Sequence, residues 1–265
     1  MDDGHFWTVH GGTREITNIT EGAAGSFINY ESDQTSKVYP DELQKPPFGV
    51  AGWTTDDAGV LLYDEYDIWV VATDGSGAER LTDGSAEEIR HRLVRPELAV
   101  QSRWAPPDFD SREEEWIDLD QPIYLSIYGE WTKKSGFFEL DGDRLNELVF
   151  QDRRFGGLRK AKDADRVVFT ASTFSDFPDY WTSDLEFRNP RRITDANPHQ
   201  DEYRWGSRIL VDFENKDGVR LQATLAIPDG YQAGQQLPMI VNFYENKSQD
   251  LLAYYSPIFG CSYPA

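Results

Sequence analysis

A serine that attacks a carbonyl commonly lies in a G-x-S-x-G turn between a strand and a helix, so the serines with neighbouring glycines are the first chemical candidates. The sequence contains no G-x-S-x-G. The segment DGSGAE at 74–79 has a different spacing. GCSYPA at 260–265 has no final glycine, and no apolar strand precedes it. We therefore expect Ser262 to be an ordinary loop serine.

The acidic run Glu113–Glu115, within REEEW at 112–116, is a second chemical candidate. Clustered carboxylates can hold an amine through charge-assisted hydrogen bonds. The run lies in a segment rich in Pro and Asp, Ala105–Pro122, which we predict to be an insertion. A solvated charge run is therefore the favoured interpretation.

The four histidines offer no metal site by spacing. His5, His10, His91 and His199 show neither H-E-x-x-H nor another ligand pattern. We expect His91, in EEIRHRLVR, to lie on an exposed helical turn. Structural or solvent-exposed roles are favoured for all four, and no metal is predicted.

Composition restricts the class of protein. The 265 residues are 39% hydrophobic and 28% charged, which is typical of a chain with a packed core. The 47 acidic against 26 basic residues give a net charge of −21, which argues against nucleic-acid binding.

Apolar runs are only a few residues long, so we expect no membrane span. The first residues lack the basic and apolar regions of a signal peptide, and the single Cys261 does not indicate a compartment.

Strand patterns dominate, and two of them repeat. DIWVVATDGSGAERLTDG matches DYWTSDLEFRNPRRITDAN at five positions, all offset by 112: Asp67/Asp179, Trp69/Trp181, Arg80/Arg192, Thr82/Thr194 and Asp83/Asp195. Weaker copies are HFWTVHGGTREITNIT, matched through Trp7, Arg14 and Thr17, and SGFFELDGDRLNELV. Helical turns are expected only in SAEEIRHRL and RLNELVF.

These repeats predict a mainly β fold that contains part of a β-propeller. GWTTDDAGVLLYDEYDIWVV has the Trp, polar turn and apolar strand of a four-stranded blade. We expect about four blade-like units, ending near Thr17, Thr82, Leu148 and Thr194. An ordinary β-sandwich is the alternative.

The pattern changes after Asn197, so we predict two regions, 1–198 and 199–265. Residues after 198 read as strand, turn, strand and then the apolar run LPMIVNFYE, introduced by Pro238. Such a run is typical of a strand covered on both faces in an α/β sheet.

The segment Arg191–Gln249 resembles the junction between blades and catalytic domain in the prolyl oligopeptidase and dipeptidyl-peptidase family of serine peptidases. The residues that carry the resemblance are RRITDANP, WGS, LVDF and DGVRLQATLAIPDGY, followed by LPMIVNFYE. In that family a β-propeller precedes an α/β-hydrolase domain. The resemblance therefore implies that residues 199–265 contain the first strands of such a domain.

The same resemblance implies one functional residue within this chain. Tyr244 matches a tyrosine at a strand end that donates its phenolic proton to the tetrahedral oxyanion, although ENK follows it where many relatives are glycine-rich. A packing role is the alternative. The Ser–Asp–His triad would lie beyond the end of the sequence, so we expect this chain alone to be inactive.

The resemblance implies that the partners are peptide substrates. The parent enzyme would hydrolyse peptide bonds in oligopeptides or release dipeptides from an N-terminus, and the propeller would act as a substrate filter. No cofactor is implied, and a homodimer stays open. A periplasmic or secreted location follows from the resemblance, and a cytoplasmic one stays open. The alternative function is a non-catalytic propeller that binds a partner.

Overall fold

The computed structural model describes residues 4–32, 36–39, 42–96, 116–243 and 246–257. Strands account for 41% of these residues and none of them is α-helical, which confirms the mainly β prediction. The strands are β1 Trp7–Val9, β2 Ile16–Asn18, β3 Ser36–Tyr39, β4 Glu42–Gln44, β5 Val50–Trp53, β6 Gly59–Tyr63, β7 Ile68–Ala72, β8 Ala78–Arg80, β9 Ile89–Val94, β10 Ile123–Gly129, β11 Ser135–Asp141, β12 Arg144–Gln151, β13 Arg154–Lys160, β14 Val167–Ser172, β15 Asp179–Ser183, β16 Arg191–Arg192, β17 Ser207–Glu214 and β18 Arg220–Ile227. Two 3₁₀ turns span Pro198–Glu202 and Lys247–Asp250.

The described strands form three four-stranded sheets of the blade type, ordered β5-β6-β7-β8, β12-β11-β10-β9 and β13-β14-β15-β16. The remaining pairs are β1-β2, β3-β4 and β17-β18. Consecutive strands are neighbours in every sheet, as expected for blades. Of the four predicted units, three are complete sheets and the first is the pair β1-β2.

Two compact units divide the chain. The first comprises residues 1–127 and 138–147, and the second comprises 128–137 and 148–265. The residues of the β9–β12 sheet are divided between them. The boundary predicted between residues 198 and 199 stays a prediction.

Both helix predictions are wrong. The last five residues of SAEEIRHRL, Ile89–Leu93, belong to β9, and RLNELVF lies within β12. The short segments have helix-forming residues, but each lies in a four-stranded sheet where pairing to a neighbouring strand satisfies its backbone. Tertiary pairing therefore overrides a weak local propensity.

A buried aspartate organises the β5–β8 sheet. Asp67 lies just before β7, and its Oδ1 accepts hydrogen bonds from the Thr82 hydroxyl at 2.7 Å and the Gly84 N–H at 2.6 Å. The Thr82 hydroxyl also accepts from the Ile68 N–H at 3.1 Å. Arg80 places a guanidinium nitrogen 3.8 Å from the other carboxylate oxygen. We call this arrangement the aspartate clamp; it joins the end of the fourth strand to the start of the third.

The β13–β16 sheet contains the same clamp. Asp179 Oδ1 accepts from the Thr194 hydroxyl at 2.6 Å and from the Ala196 N–H at 2.9 Å. Thr194 accepts from the Tyr180 N–H at 2.9 Å. Arg192 Nε lies 3.1 Å from Asp179 Oδ2. The two segments that match at an offset of 112 therefore share the same hydrogen bonds as well as the same residue types.

The first hairpin repeats part of the clamp, in a different register from the one predicted. The predicted matches were Arg14 and Thr17, yet the threonine in the clamp position is Thr20, which accepts from the Phe6 N–H at 2.9 Å. His5 replaces the aspartate, with its Nδ1 3.2 Å from the Thr20 hydroxyl. The offset from the β5–β8 clamp is 62, since 67 − 5 = 62 and 82 − 20 = 62. Because His5 stands in the position of the aspartate, the sequence alone does not show this register.

In the β9–β12 sheet a serine occupies the corresponding position. Ser135 begins β11, donates to the Arg153 carbonyl at 2.8 Å and accepts from the Phe155 N–H at 3.0 Å. The partial copy SGFFEL is thus confirmed as a third strand, with Ser135 in place of the aspartate.

Each unit has its own apolar core. In the first, the buried cluster is Ile19, Phe27, Val60, Leu62, Trp69 and Val71. In the second, four phenylalanine rings lie with centroids 5.0 to 6.4 Å apart, at positions 137, 155, 169 and 187. Such aromatic contacts add to the free energy gained from apolar burial.

His91 is buried on β9, with 2% of its surface exposed, so the predicted exposed helical turn is wrong. Its Nδ1 lies 3.3 Å from the Tyr66 carbonyl oxygen and 3.6 Å from Asp67 Oδ1, and its ring meets Phe138 edge-on. Burial lowers the pKa of His91, against the opposing effect of the Asp67 carboxylate. The neighbouring Arg92 guanidinium also lowers it.

We predict that His91 makes the folded state sensitive to mild acid. The folded pKa lies below the ordinary 6.5, so the unfolded chain binds a proton more readily. The stabilisation by neutral His91 is therefore complete above about pH 6.5 and decreases as pH falls through the folded pKa. Urea unfolding at pH 7.5 and 5.5 should show a smaller loss of stability in His91→Gln than in the unsubstituted chain. An equal loss would contradict the prediction, and exposed His199→Gln is the control.

We also predict that the clamp threonines are major determinants of stability. Thr82→Val and Thr194→Val each leave a carboxylate oxygen and a backbone N–H without the shared hydroxyl, which costs roughly 1–3 kcal/mol. Denaturant unfolding measures this loss. The exposed Thr55→Val should change stability by less than about 0.5 kcal/mol. Equal effects at all three positions would mean that the clamp does not stabilise the sheets.

Candidate functional site

The residue predicted to act on an oxyanion, Tyr244, lies outside the described residues, and its role stays a prediction. The acidic run Glu113–Glu115 and Ser262 also lie outside them. The structure describes the chain up to Phe243 and again from Asn246, so it defines what flanks the candidate tyrosine on each side.

The segment before Tyr244 differs from expectation. Residues 237–243 are not a strand, and their apolar side chains face solvent: Met239 is 71% exposed, Ile240 89%, Val241 68% and Phe243 87%. A strand covered on both faces requires neighbouring strands that accept its backbone hydrogen bonds. Among the described residues none pairs with this segment. The composition is that of a buried strand, whereas the observed conformation is exposed coil.

The segment after Tyr244 is anchored. The 3₁₀ turn Lys247–Asp250 lies against β18, where the Thr224 hydroxyl donates to the Ser248 carbonyl at 3.5 Å. Arg208, on β17, donates to the Asp250 carbonyl at 2.8 Å. Two adjacent strands thus hold the backbone that follows the candidate tyrosine.

Arg208 is held between aromatic rings. Its guanidinium lies 4.2 Å from the Phe174 ring centroid and 5.8 Å from that of Tyr255. Burial lowers the pKa of Arg208. Burial, together with a hydrogen bond that the Tyr255 hydroxyl donates to Asp250, raises the pKa of Tyr255. A partly desolvated cation over aromatic faces is a stabilising contact. Both the charged guanidinium and the aliphatic part of the Arg208 side chain therefore help to hold the segment around Asp250.

Tyr254 extends the anchor to the segment that precedes β17. Its hydroxyl accepts from Asn197 Nδ2 at 2.9 Å, and its ring contacts Phe177 and Trp205 at centroid distances of 5.3 and 5.4 Å. Trp205 in turn donates to the Gln200 carbonyl at 2.8 Å. We call the group Phe174, Phe177, Trp205, Arg208 and Tyr254 the anchor cluster.

A blade turn contacts the polar face of the β17–β18 hairpin. Gln222 donates to the Trp131 carbonyl at 3.0 Å and to Asp212 Oδ1 at 2.8 Å. The Arg220 guanidinium lies 4.0 Å from the Trp131 ring centroid. Lys133 in the same turn has a left-handed backbone with φ of 62° and is largely buried; burial lowers its pKa. Glu130 and Asp212 oppose that shift.

The first unit has a separate cavity of about 570 Å³. Its lining includes the carboxylates of Asp56, Glu79, Asp118 and Asp120. Hydrogen bonds from the Thr54 hydroxyl and the Ala58 N–H lower the pKa of Asp56. Within the described ranges, no three His, Cys, Asp or Glu side chains converge as metal ligands, and no helix is long and apolar enough to cross a membrane.

The sequence predicts a role for Tyr244, which stays a prediction, but gives no indication of the anchoring contacts around β17 and β18. Arg208 and Trp131 belong to no motif, and each acts through partners that are distant in the sequence, Asp250 and Arg220. Only the spacing of aromatic residues around 174–205, with Trp205 just before the start of β17, was available as a signal. Cation–aromatic contacts of this kind depend on the fold and not on local pattern.

Three solved structures are similar to the chain at low identity. The AtxE2 isopeptidase with Astexin3-dC4 bound has a TM-score of 0.47 and 14% identity, over 91% of this chain and 32% of that chain. The Pyrococcus horikoshii acylaminoacyl peptidase has a TM-score of 0.43 and 14% identity, over 71% and 27%. A protein assigned as TolB from Agrobacterium tumefaciens has a TM-score of 0.34 and 13% identity, over 85% and 84%.

The chain thus spans about a third or less of the length of these two peptidases. No family model matches the sequence, and no curated protein matches it. Peptidases and a TolB protein are therefore among the similar structures, and these values identify no family.

We predict that Arg208 holds the segment after Tyr244. Arg208→Gln removes the guanidinium contacts and the bond to the Asp250 carbonyl, so amides of residues 251–255 should exchange with deuterium at least about tenfold faster. Amides of β14 should be unaffected. Arg204→Gln, an exposed arginine nearby, is the matched control. Unchanged exchange in Arg208→Gln would show that the segment is held by other contacts.

Proposed function

We propose that this chain is a portion of a serine peptidase of the prolyl oligopeptidase type, in which blades filter peptide substrates and residues from 199 onward begin the catalytic domain. The triad would be supplied by sequence of the longer protein outside residues 1–265. Residues 1–265 would then bind and orient peptide but not cleave it.

The observation that carries this proposal is the exposed apolar segment 237–243. Large apolar side chains rarely line up on the surface of a complete domain, and a contiguous patch of this kind indicates a missing partner. Its length and composition suit an interior strand of an α/β sheet. The resemblance of Arg191–Gln249 to a blade-to-hydrolase junction supports the same assignment.

The β17–β18 hairpin gives independent support. Its cross-strand pairs Ile209–Leu225 and Phe213–Leu221 lie on one face with Val211, and all five side chains are exposed. The opposite face carries Arg208, Asp212 and Gln222 and contacts the rest of its unit. An apolar face toward solvent and a polar face toward protein suit a hairpin covered by a further layer.

In the proposed reaction, a serine supplied by the longer protein would attack the peptide carbonyl and produce an oxyanion. The Tyr244 O–H would donate a hydrogen bond to that oxygen as its charge develops. A positioned donor of this kind acts mainly on the transition state, because the ground-state carbonyl carries little charge. The anchored turn Lys247–Asp250 would limit movement of the backbone on one side of Tyr244.

The longer protein tests the proposal. Tyr244→Phe should lower kcat for a proline-containing peptide by about 10²–10³-fold with KM little changed, because the donor acts in the transition state. Tyr231→Phe, an exposed tyrosine in a turn, is the matched control. An unchanged kcat would contradict the role of Tyr244.

Two further outcomes separate the proposal from its alternative. Inhibitor-sensitive cleavage by residues 1–265 alone would contradict the assignment of the triad to later sequence. A longer protein with no Ser–Asp–His set and no hydrolytic activity would favour the non-catalytic propeller that binds a partner.

A further inference from the structure

A cleft of about 630 Å³ lies at one end of the β13–β16 sheet. It is bounded by the turn between β13 and β14 and by the turn between β15 and β16. Two arginines, Arg166 and Arg191, line it together with Thr182, Asp184 and Asn189. Thr182 pairs with Arg191 across β15 and β16, so these two side chains share a face of the sheet. The cleft therefore has cationic groups from two different strands.

The strand register brings the two arginines within reach of one ligand. Val167 pairs with Ser183, so the antiparallel register puts Arg166 opposite Asp184. Two strand spacings of about 4.8 Å and two residue steps of about 3.3 Å then place the Cα atoms of Arg166 and Arg191 about 12 Å apart. Two extended arginine side chains at that separation can both contact a small group held between them.

Neither arginine is neutralised by the carboxylate that lies between them in the sheet. Asp184 accepts hydrogen bonds from the Arg188 N–H at 2.8 Å, from Arg188 Nε at 3.2 Å and from Asn189 Nδ2 at 3.4 Å. These donors, the Arg188 N–H most of all, lower the pKa of Asp184. Within the described ranges, the guanidinium groups of Arg166 and Arg191 make no hydrogen bond or ion pair. The turn thus satisfies its own carboxylate and leaves two cations for a ligand.

The cavity of about 570 Å³ in the first unit occupies the same place in the β5–β8 sheet. Its lining residues Val70 and Glu79 pair across β7 and β8, and at the offset of 112 they correspond to Thr182 and Arg191. That cavity stays open although residues 117–120 form part of its wall. An open space at this end of the sheet is therefore common to both repeats. Its charge differs, because an acidic residue in one repeat is an arginine in the other.

We propose that the cleft between Arg166 and Arg191 binds a carboxylate group of a peptide. A planar guanidinium donates two parallel hydrogen bonds to a carboxylate, and two such groups can hold one carboxylate from both sides. The net charge of −21 repels ligands with many negative charges, and this repulsion is smaller for a single carboxylate. The choice of a peptide as the carrier rests on the proposed function, whereas the carboxylate chemistry rests on the cleft alone.

Asp165 favours a carboxylate that has an N–H group beside it. Its side chain lines the same cleft and has no hydrogen-bond or ion-pair partner among the described residues. It repels a bound carboxylate, but it can accept a hydrogen bond from a neighbouring donor. The backbone of a peptide supplies such an N–H close to its terminal carboxylate and close to the side chain of an acidic residue. A simple carboxylate such as acetate lacks this donor.

Peptide titrations of residues 1–265, followed by the amide chemical shifts of Thr182 and Asp184, test the site. Acetyl-trialanine with a free C-terminal carboxylate should give saturable shifts with a Kd of about 1 mM or lower, and its C-terminal amide should give none. A third probe, acetyl-alanyl-glutamyl-alanine amide, carries its only carboxylate on a side chain. Saturation by this probe as well would support acidic side chains as a source, and its failure would restrict the site to chain termini.

Substitutions in the cleft should change the affinity in opposite directions. Arg166→Gln and Arg191→Gln should each weaken binding by at least about tenfold, because each removes a charge-assisted contact. Asp165→Asn should strengthen binding by about threefold, because it removes a like charge. Arg144→Gln, at an exposed arginine on β12, is the matched control and should leave the affinity unchanged. Unchanged melting temperatures would show that the substituted chains are folded.

Three results would overturn the proposal. They are the absence of saturable shifts with both carboxylate probes at about 10 mM, an affinity that neither arginine substitution changes, and displacement of the peptide by inorganic phosphate at a lower concentration than the peptide itself requires. The last result would make the cleft a site for multivalent anions. The titrations need no catalytic triad, so their failure would leave the Tyr244→Phe test of the proposed function unaffected.

Discussion

The buried aspartate of the clamp is the interaction on which the sheets depend. An acidic side chain in an apolar interior is costly unless hydrogen bonds surround it. At Asp67 and Asp179 those bonds come from a threonine hydroxyl and a backbone N–H after the fourth strand. The clamp can form only if the third and fourth strands have the correct lengths and register, because a slip of one residue would reverse every side chain.

This constraint explains which features the sequence could predict. Asp67 and Thr82 recur with Asp179 and Thr194 because their side chains make the bonds, so the repeat and the mainly β fold were predictable. The first hairpin was misaligned at Arg14 and Thr17, because His5 replaces the aspartate there and the threonine alone is a weak signal. Strand β9 was predicted as helix, since its identity depends on a distant partner strand. The prediction for Tyr244 rests on resemblance alone, whereas Arg208 could not be predicted, because its contacts join residues far apart in the chain.

The distribution of polarity in the second unit reverses that of an isolated hairpin. A two-stranded sheet on a surface normally buries its apolar face and exposes its polar one. In β17–β18 the polar face, with Arg220 and Gln222, contacts the turn around Trp131, and the apolar face is exposed. The contacts of the polar face therefore orient the hairpin, and the opposite, exposed face has the apolar composition that is typical of a buried core.

The segments that precede and follow Tyr244 differ in the contacts that hold them. Before it, residues 237–243 have apolar side chains without a covering layer. After it, the backbone is fixed within eleven residues by Thr224, Arg208 and Tyr254, the last through Asn197 at the end of the blade segment. A displacement of the anchor cluster would therefore move the backbone next to position 244 together with the start of β17. Because Asn197 and Trp205 belong to the link between β16 and β17, the segment around Tyr254 is coupled to that link by packing and a hydrogen bond. The coupling needs no further domain, since every contact in it is made by residues of the second unit.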